Sequence, residues 1–219
     1  LALSRNCEIP RSLITEVLEL VAVGTIGDVM PLMDENRSLV KYGLRLMRLG
    51  FKNKGLKRLA ELSGVDYSNI TSTNVAFSLV PRINAAGRLG DASLGVRVLL
   101  SEDDDEIESL CTKLMETNTK RRELQQKAFE NCISLADKEL ENGDFIMIEA
   151  ENAHEGILGI VAGNLKERYN RPVVIVSPNN GQLKGTGRSI EGIDLYALLN
   201  RHSEHFVKFG GHKAACGFT

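Results

Sequence analysis

Apolar residues recur at helical spacing over 13–23, Leu-Ile-Thr-Glu-Val-Leu-Glu-Leu-Val-Ala-Val, and run into a turn at Gly24–Pro31. The end of that run, from Val23, also reads as an apolar strand giving way to a loop. A helix opens at Asn36 and continues through Leu49 on Leu39, Val40, Leu44, Leu46 and Met47, and a short basic helix follows at Lys54–Leu62. Proline and glycine mark a turn at Pro81–Gly90, ahead of a small-residue helix from Ala92 to Leu100. Ser101 then reads as an N-cap with acids in the first turn behind it, where carboxylates offset the positive end of the helix dipole. This helix continues to about Glu141 on Ile107, Leu110, Leu114, Leu124, Ala128, Leu135 and Leu140. Its polar middle, Asn118–Glu123, does not suit a broad apolar core, so the helix reads as a bridge between two domains.

After Asn142-Gly143 the pattern changes. A strand at Phe145–Glu149, a helix at Gly156–Tyr169, a strand at Val173–Val176, another near Lys184 and a helix at Leu195–His202 predict an α/β domain. There is no internal repeat and no low-complexity tract.

With 42% apolar residues in 219, the chain has enough to bury a core. A net charge of −2 gives no overall basic field, so contact with nucleic acid must come from local patches. One such patch is Lys41–Arg58, with seven Lys or Arg and no acid: either a solvated helical face or a surface that follows a phosphate backbone. Aromatic residues are 5% of the chain and tryptophan is absent, so base stacking is weakly signalled and backbone contact must dominate. Cys7, Cys111, Cys132 and Cys216 form no C-x-x-C pair, which argues against a cysteine zinc site and for reduced, buried thiols. No apolar run is long enough to span a membrane, and a cytoplasmic location is the default. His202 and His205 read as surface residues at a helix end.

Five stretches carry candidate chemistry. In Val23–Leu32 a single carboxylate, Asp28, stands where it can hold a metal or cap a helix. Pro81–Arg88 places Arg82, Asn84 and Arg88 beside a proline-stiffened turn, as anion contacts or as a loop that satisfies its own backbone. His154 precedes an apolar helix whose N-terminal amides favour anions, although a structural group at a helix start has the same appearance. Gly185-Thr186-Gly187-Arg188-Ser189 sets a guanidinium and two hydroxyls among glycines that permit close approach of phosphate oxygens; an ordinary β-turn is the alternative. Phe209-Gly210-Gly211-His212 is a glycine loop able to form an anion-binding nest beside an imidazole.

In this order the five stretches resemble the DHH/DHHA1 phosphoesterases, and within them the RecJ-type single-strand-specific DNA exonucleases. Pro81–Arg88 and His154–Gly163 carry most of the specificity, and the resemblance spans nearly the whole chain. It implies an α/β fold class: the C-terminal part of a DHH-type α/β domain (1–103), a long connecting helix (104–142) and a smaller mixed α/β DHHA1-type domain (143–219). The implied activity is 5′ to 3′ hydrolysis of single-stranded DNA in recombination and repair. It depends on two Mn2+ or Mg2+ ions with Asp28 as a catalytic metal ligand, and on Arg82, Asn84, Arg88, His154, Thr186, Gly187, Arg188, Ser189, Gly210, Gly211 and His212 as nucleic-acid or phosphate contacts. The Asp-His-His triplet that names the family is absent, as are the acidic signatures that precede it, and the chain begins at Leu1 without methionine. The expectation is therefore a piece of a longer enzyme, inactive alone because most metal ligands are missing. The chain departs from the family pattern at Asn164, where a basic residue is usual, and at Gly27 and Cys216, where alanine is usual. Rival readings are a related phosphodiesterase of short oligonucleotides or cyclic dinucleotides, and a non-catalytic nucleic-acid-binding or scaffold protein.

Overall fold

The computed structural model describes residues 11–151, 153–179 and 181–219, apart from the side chains of 11–13. The chain forms two compact units, 1–119 and 120–219. Among the described residues the first unit is helical: α1 (Arg11–Gly27), α2 (Asp34–Arg48), α3 (Lys54–Leu62), α4 (Val80–Leu89), α5 (Ser93–Leu100) and the first part of α6 (Asp104–Asn142). The boundary between the units falls inside α6.

The core of the first unit is built on Met47, Leu56, Leu59, Ile70, Leu79 and Leu114, all fully buried. Val40, Leu44 and Met47 recur at i, i+4 and i+7 on α2 and give it one apolar face. That face meets α1 at Gly43, where a Cβ would lie 2.5 Å from both the Ala22 Cβ and the Leu18 carbonyl oxygen, so only glycine permits the crossing. Glu19 on α1 is fully buried, and its carboxylate accepts the backbone N–H of Lys52 (2.9 and 3.1 Å) and of Asn53 (2.9 Å). Asn53 in turn accepts from the Leu56 N–H at 2.9 Å and caps α3. The basic stretch 41–58 is partly tied to its own unit: Arg48 donates to the Ile70 carbonyl, Lys54 pairs with Asp104, and Arg58 pairs with Glu108 and Glu61.

Three local expectations are corrected in this unit. Among the described residues no strand precedes Asp28, because Ala22, Val23 and Ile26 are buried on α1 and the helix runs on to Gly27. Pro81–Gly90 is not a turn: a π-helical stretch, Val75–Leu79, feeds directly into α4. Pro81 lies in the first turn of α4, where its missing N–H costs least, and the wider π turn ahead of it absorbs the break in the hydrogen-bond ladder. Asp103, not Ser101, caps α6, its carboxylate accepting the Glu106 N–H at 2.7 Å while the Ser101 hydroxyl donates to the Glu106 side chain. Within the polar middle of α6, Thr119, Lys120, Arg122 and Glu123 are exposed and Arg121 is half-buried, but Asn118 is buried.

The second unit holds a five-stranded sheet in the order β1-β2-β3-β5-β4, from β1 (Ile146–Glu149), β2 (Val173–Asn179), β3 (Gln182–Arg188), β4 (Phe209–His212) and β5 (Ala215–Phe218). β1 and β2 are parallel, joined by α7 (Glu155–Tyr169), and the other pairs are antiparallel. Ile157, Leu158, Val161, Ala162 and Leu165 bury one side of α7, which lies along β2 and β3. The helix α8 (Leu195–Asn200) contacts β4 and β5, with Leu195 in a cluster with Val174, Val176 and Cys216. Buried between helices, Val173–Ser177 of β2 is a continuous buried run without alternation. Ala128, Cys132 and Ala136 bury the C-terminal part of α6 in this unit, whereas Leu135 is exposed. Cys111, Cys132 and Cys216 are free buried thiols, and Cys7 lies outside the described residues.

Candidate nucleic-acid interface

Strand register brings the C-terminal candidates together. Thr186 pairs with Gly217 and Gly217 with Gly210; Arg188 pairs with Ala215 and Ala215 with His212. Because directly paired residues share a face of the sheet, Thr186, Arg188 and His212 lie on one side. This is the α7 side: the Gly159 position of α7 lies 2.7 Å from an Arg188 Nη atom by its would-be Cβ, and 3.6 Å from the Thr186 hydroxyl. Gly217, Gly210 and His212 are exposed. The result is a shelf with little side-chain cover, with Arg188 along one flank and His212 on the edge strand.

Arg188 is half-buried and held in place. One Nη donates to the Thr186 hydroxyl at 3.1 Å and to the Gly187 carbonyl at 2.8 Å, and the Thr186 hydroxyl donates to the Cys216 carbonyl at 3.3 Å. A planar guanidinium fixed in this way has donors in a set direction, the geometry that suits phosphate oxygens. Lys184, two residues before Thr186 and on the same face, pairs with Glu155 in the first turn of α7. That hydrogen bond with Lys184 holds the Glu155 carboxyl below the usual carboxylate range.

The alternate residues of β3 serve the opposite face. A Cβ on Gly185 would lie 2.1 Å from the Phe218 ring, and one on Gly187 would lie 2.5 Å from Leu195 and 2.7 Å from the Cys216 sulfur. The β-turn alternative for 185–189 therefore fails: residues 185–188 are strand, as expected near Lys184, and the glycines answer to close packing against Leu195 of α8 and against Phe218 and Cys216 of β5. Ser189 is buried, its hydroxyl donating to the Ile193 carbonyl at 2.9 Å. Phe209–His212 is an edge strand and not a loop. Gly211 has φ +149° and would drive a Cβ to 2.3 Å from the Ala215 carbonyl, so this position requires glycine. The His212 Nδ1 accepts the Ala214 N–H at 3.3 Å.

His154 caps α7, its Nδ1 accepting the Gly156 N–H at 3.1 Å. It lines a cavity of about 570 Å3 with Lys127 and Asn131 from α6, Glu149 at the end of β1 and Glu151 just beyond it.

In the first unit Asp28 follows the last residue of α1. Val29 N–H bonds the Ile26 carbonyl and Met30 N–H the Thr25 carbonyl, closing the helix with Val29 at φ +54° in the position that favours glycine. A carboxylate at the negative end of a helix dipole and a β-branched residue in the left-handed region are both locally unfavourable, each by about 1 kcal/mol. The helix-capping alternative for Asp28 therefore fails, since a capping carboxylate belongs at the opposite end. Local penalties of this kind gather where a position serves something other than stability.

Asp28 and Asn84 line one cavity of about 360 Å3, and Asn84 and Arg88 line the adjoining groove on the same face of α4. Arg82 faces elsewhere, donating to the Ser78 carbonyl and to the Met115 sulfur. Among the described residues, no group of three potential metal ligands includes Asp28. A hard divalent ion takes about six or more ligand atoms, so the residues around Asp28 do not by themselves fit a metal centre.

Residues 142–219 match the model of the DHHA1 domain. The chain is 38% identical to the single-stranded-DNA-specific exonuclease RecJ of Salmonella typhimurium over 94% of its length, and 38% identical to that of Escherichia coli over 98%. It spans 37% and 38% of those relatives. RecJ of Thermus thermophilus, solved in complex with Mn2+ and with Mg2+, superposes on all of the chain with a TM-score of 0.88 at 36% identity, the chain covering about a third of it. The chain belongs to the RecJ-type branch of the DHH/DHHA1 family, with residues 142–219 as its DHHA1 domain.

Proposed function

We propose that this chain is the strand-holding part of a single-strand-specific DNA exonuclease that removes nucleotides 5′ to 3′ in recombination and repair, working in the cytoplasm. The observation that carries this reading is the shared sheet face of Thr186, Arg188 and His212 beside exposed glycine backbone. A single strand offers a regular row of phosphates, and a fixed guanidinium next to a shelf without bulky side chains accepts them with any base sequence. Arg188 is the principal contact, Thr186 holds it, and Gly210 and His212 border the path of the strand. Ser189, Gly187 and Gly211 act indirectly by keeping the three strands in register. In the first unit, Asn84 and Arg88 form the polar wall next to Asp28.

RecJ from Thermus thermophilus has been solved with Mn2+ and with Mg2+, which supports divalent-ion chemistry for the whole enzyme. Asp28 is this chain's contribution to it, and the remaining ligands must come from elsewhere. The chain alone should therefore bind single-stranded DNA without cutting it. Purified chain incubated with end-labelled single-stranded oligonucleotide and Mn2+ or Mg2+ should shift the oligonucleotide and release no nucleotide. Metal-dependent release that Asp28→Ala abolishes would show a complete catalytic site in these residues and overturn the reading.

A further inference from the structure

One group of potential metal ligands does assemble among the described residues, and nothing in the strand-holding function uses it. His202, Glu204 and His205 bring one donor atom each to within 4.8 Å of one another, all on exposed side chains. The arrangement follows from the backbone. Between α8 and β4 the chain makes a 3-10 turn, Ser203–His205, with the His205 N–H bonded to the His202 carbonyl and the Phe206 N–H to the Ser203 carbonyl, both at 3.1 Å. Three residues per turn eclipse side chains at i and i+3, so the two imidazoles stand one above the other, their centroids 6.4 Å apart and their planes 20° from parallel. Glu204 lies between them in sequence, and its Oε1 is 3.5 Å from the His205 Nε2.

The turn is anchored. The Phe206 ring stacks on Phe209 with centroids 5.3 Å apart and lies 4.9 Å from the Phe218 ring, and Phe209 in turn stacks on Tyr196 at 5.0 Å. The backbone that carries the three ligands is thus fixed by packed aromatic neighbours, while the exposed ligand side chains keep the freedom to rotate, which turns the in-plane ring nitrogens toward one ion with bonds of about 2.0–2.2 Å.

We propose that His202, Glu204 and His205 form a zinc site that clamps the turn leading into β4. Two imidazoles and one carboxylate are a borderline-soft donor set, which selects zinc and its late first-row neighbours over the oxygen-preferring Mn2+ and Mg2+. Three protein ligands leave a fourth position for water. A bound ion crosslinks the two ends of the turn and so steadies Phe209–His212, the edge strand of the shelf. The spacing of the cysteines argues only against a cysteine zinc site, and this site uses none of them.

The test is a titration of the purified chain with zinc chloride against a chromophoric chelator, repeated with His202→Ala, His205→Ala, the double variant and Glu204→Gln. The expected result is one zinc per chain. Each histidine variant should weaken binding about tenfold or more, the double variant should abolish it, and excess Mn2+ should not compete. Cobalt substituted for zinc should give a ligand-field spectrum without thiolate charge transfer. All three side chains are exposed, so circular dichroism of the variants should match the parent. Equal zinc affinity in parent and double variant, or a thiolate band with cobalt, would place the ion elsewhere and overturn the proposal.

Discussion

Gly159→Ala separates binding from stability in opposite directions. The new Cβ would sit 2.7 Å from an Arg188 Nη and 3.5 Å from its Cζ. Carbon and nitrogen need about 3.5 Å, the scale of ordinary non-bonded separations, so the guanidinium must withdraw by close to an ångström. The atom struck is not the Nη that bonds the Thr186 hydroxyl and the Gly187 carbonyl, so the guanidinium turns about those bonds and loses its aim toward the shelf. A hydrogen bond to a charged group contributes about 1.5–3 kcal/mol, and losing it from the DNA complex weakens affinity about 10- to 150-fold. Against this, alanine is favoured over glycine in a helix interior by about 1 kcal/mol, and the Arg188 bonds made through the other Nη persist. The expected outcome is a melting temperature at or above that of the parent, with an affinity for single-stranded oligonucleotide, measured by fluorescence anisotropy, lower by about tenfold or more. Gly163→Ala is the matched control, since the space around that position is open. It should gain the same helical preference and keep the affinity. Unchanged binding in Gly159→Ala, with the fold intact, would refute the role given to Arg188.

Two further outcomes test the framework around the site. Glu19→Ala leaves the N–H groups of Lys52 and Asn53 without their acceptor, at about 1–3 kcal/mol each, and at about 4–8 °C per kcal/mol for a small unit the melting temperature should fall by about 8 °C or more; a drop under about 4 °C would contradict it. Burial pushes the Cys111 thiol up from 9.0 to about 11, and raises Cys132 and Cys216 by the same cause. The neutral thiols are favoured in the folded state, so this contribution to stability is whole below pH 9.0 and is lost as the pH rises toward about 11. Mass-resolved alkylation should leave these three cysteines unmodified in the native chain at neutral pH and modify them in denaturant, whereas rapid native labelling of Cys111 would contradict its burial.

Much of the fold was legible because long periodic segments carry their own signal. The α3 helix has the bounds that its pattern gives, and α6 ends within a residue of Glu141. Failures fall where tertiary contact overrides local preference. The segment before Asp28 is rich in Val, Thr and Ile, which favour strands, yet packing against α2 keeps it helical. Pro81, Asn84 and Gly87 read as turn residues, and only the π-helical stretch ahead of them explains why a helix tolerates them. Gly210 and Gly211 read as a loop, since the strand that pairs with them, β5, is only four residues long and contains a glycine itself. The candidate site was readable as residue types but not as an arrangement. Arg188 and His212 are joined only by sheet register through Ala215, while Gly187 and Ser189, one residue either side of Arg188, point into packing. Glu19 gave no signal at all, because a glutamate in an amphipathic helix looks solvent-facing until the helix crossing buries it.

The central claim is that this chain holds a single strand by its phosphates, with Arg188 as the main contact. The most direct measurement is the affinity for one oligonucleotide, single-stranded and as its blunt duplex, over a range of salt concentrations, for the parent and for Arg188→Ala. The account predicts tighter binding of the single strand and a linear fall of log K with log salt. In Arg188→Ala the affinity should drop and that slope should become shallower by about 0.7, the value for one lost single-strand phosphate contact. Equal affinity for single strand and duplex, or an Arg188→Ala slope and affinity that match the parent, would contradict it.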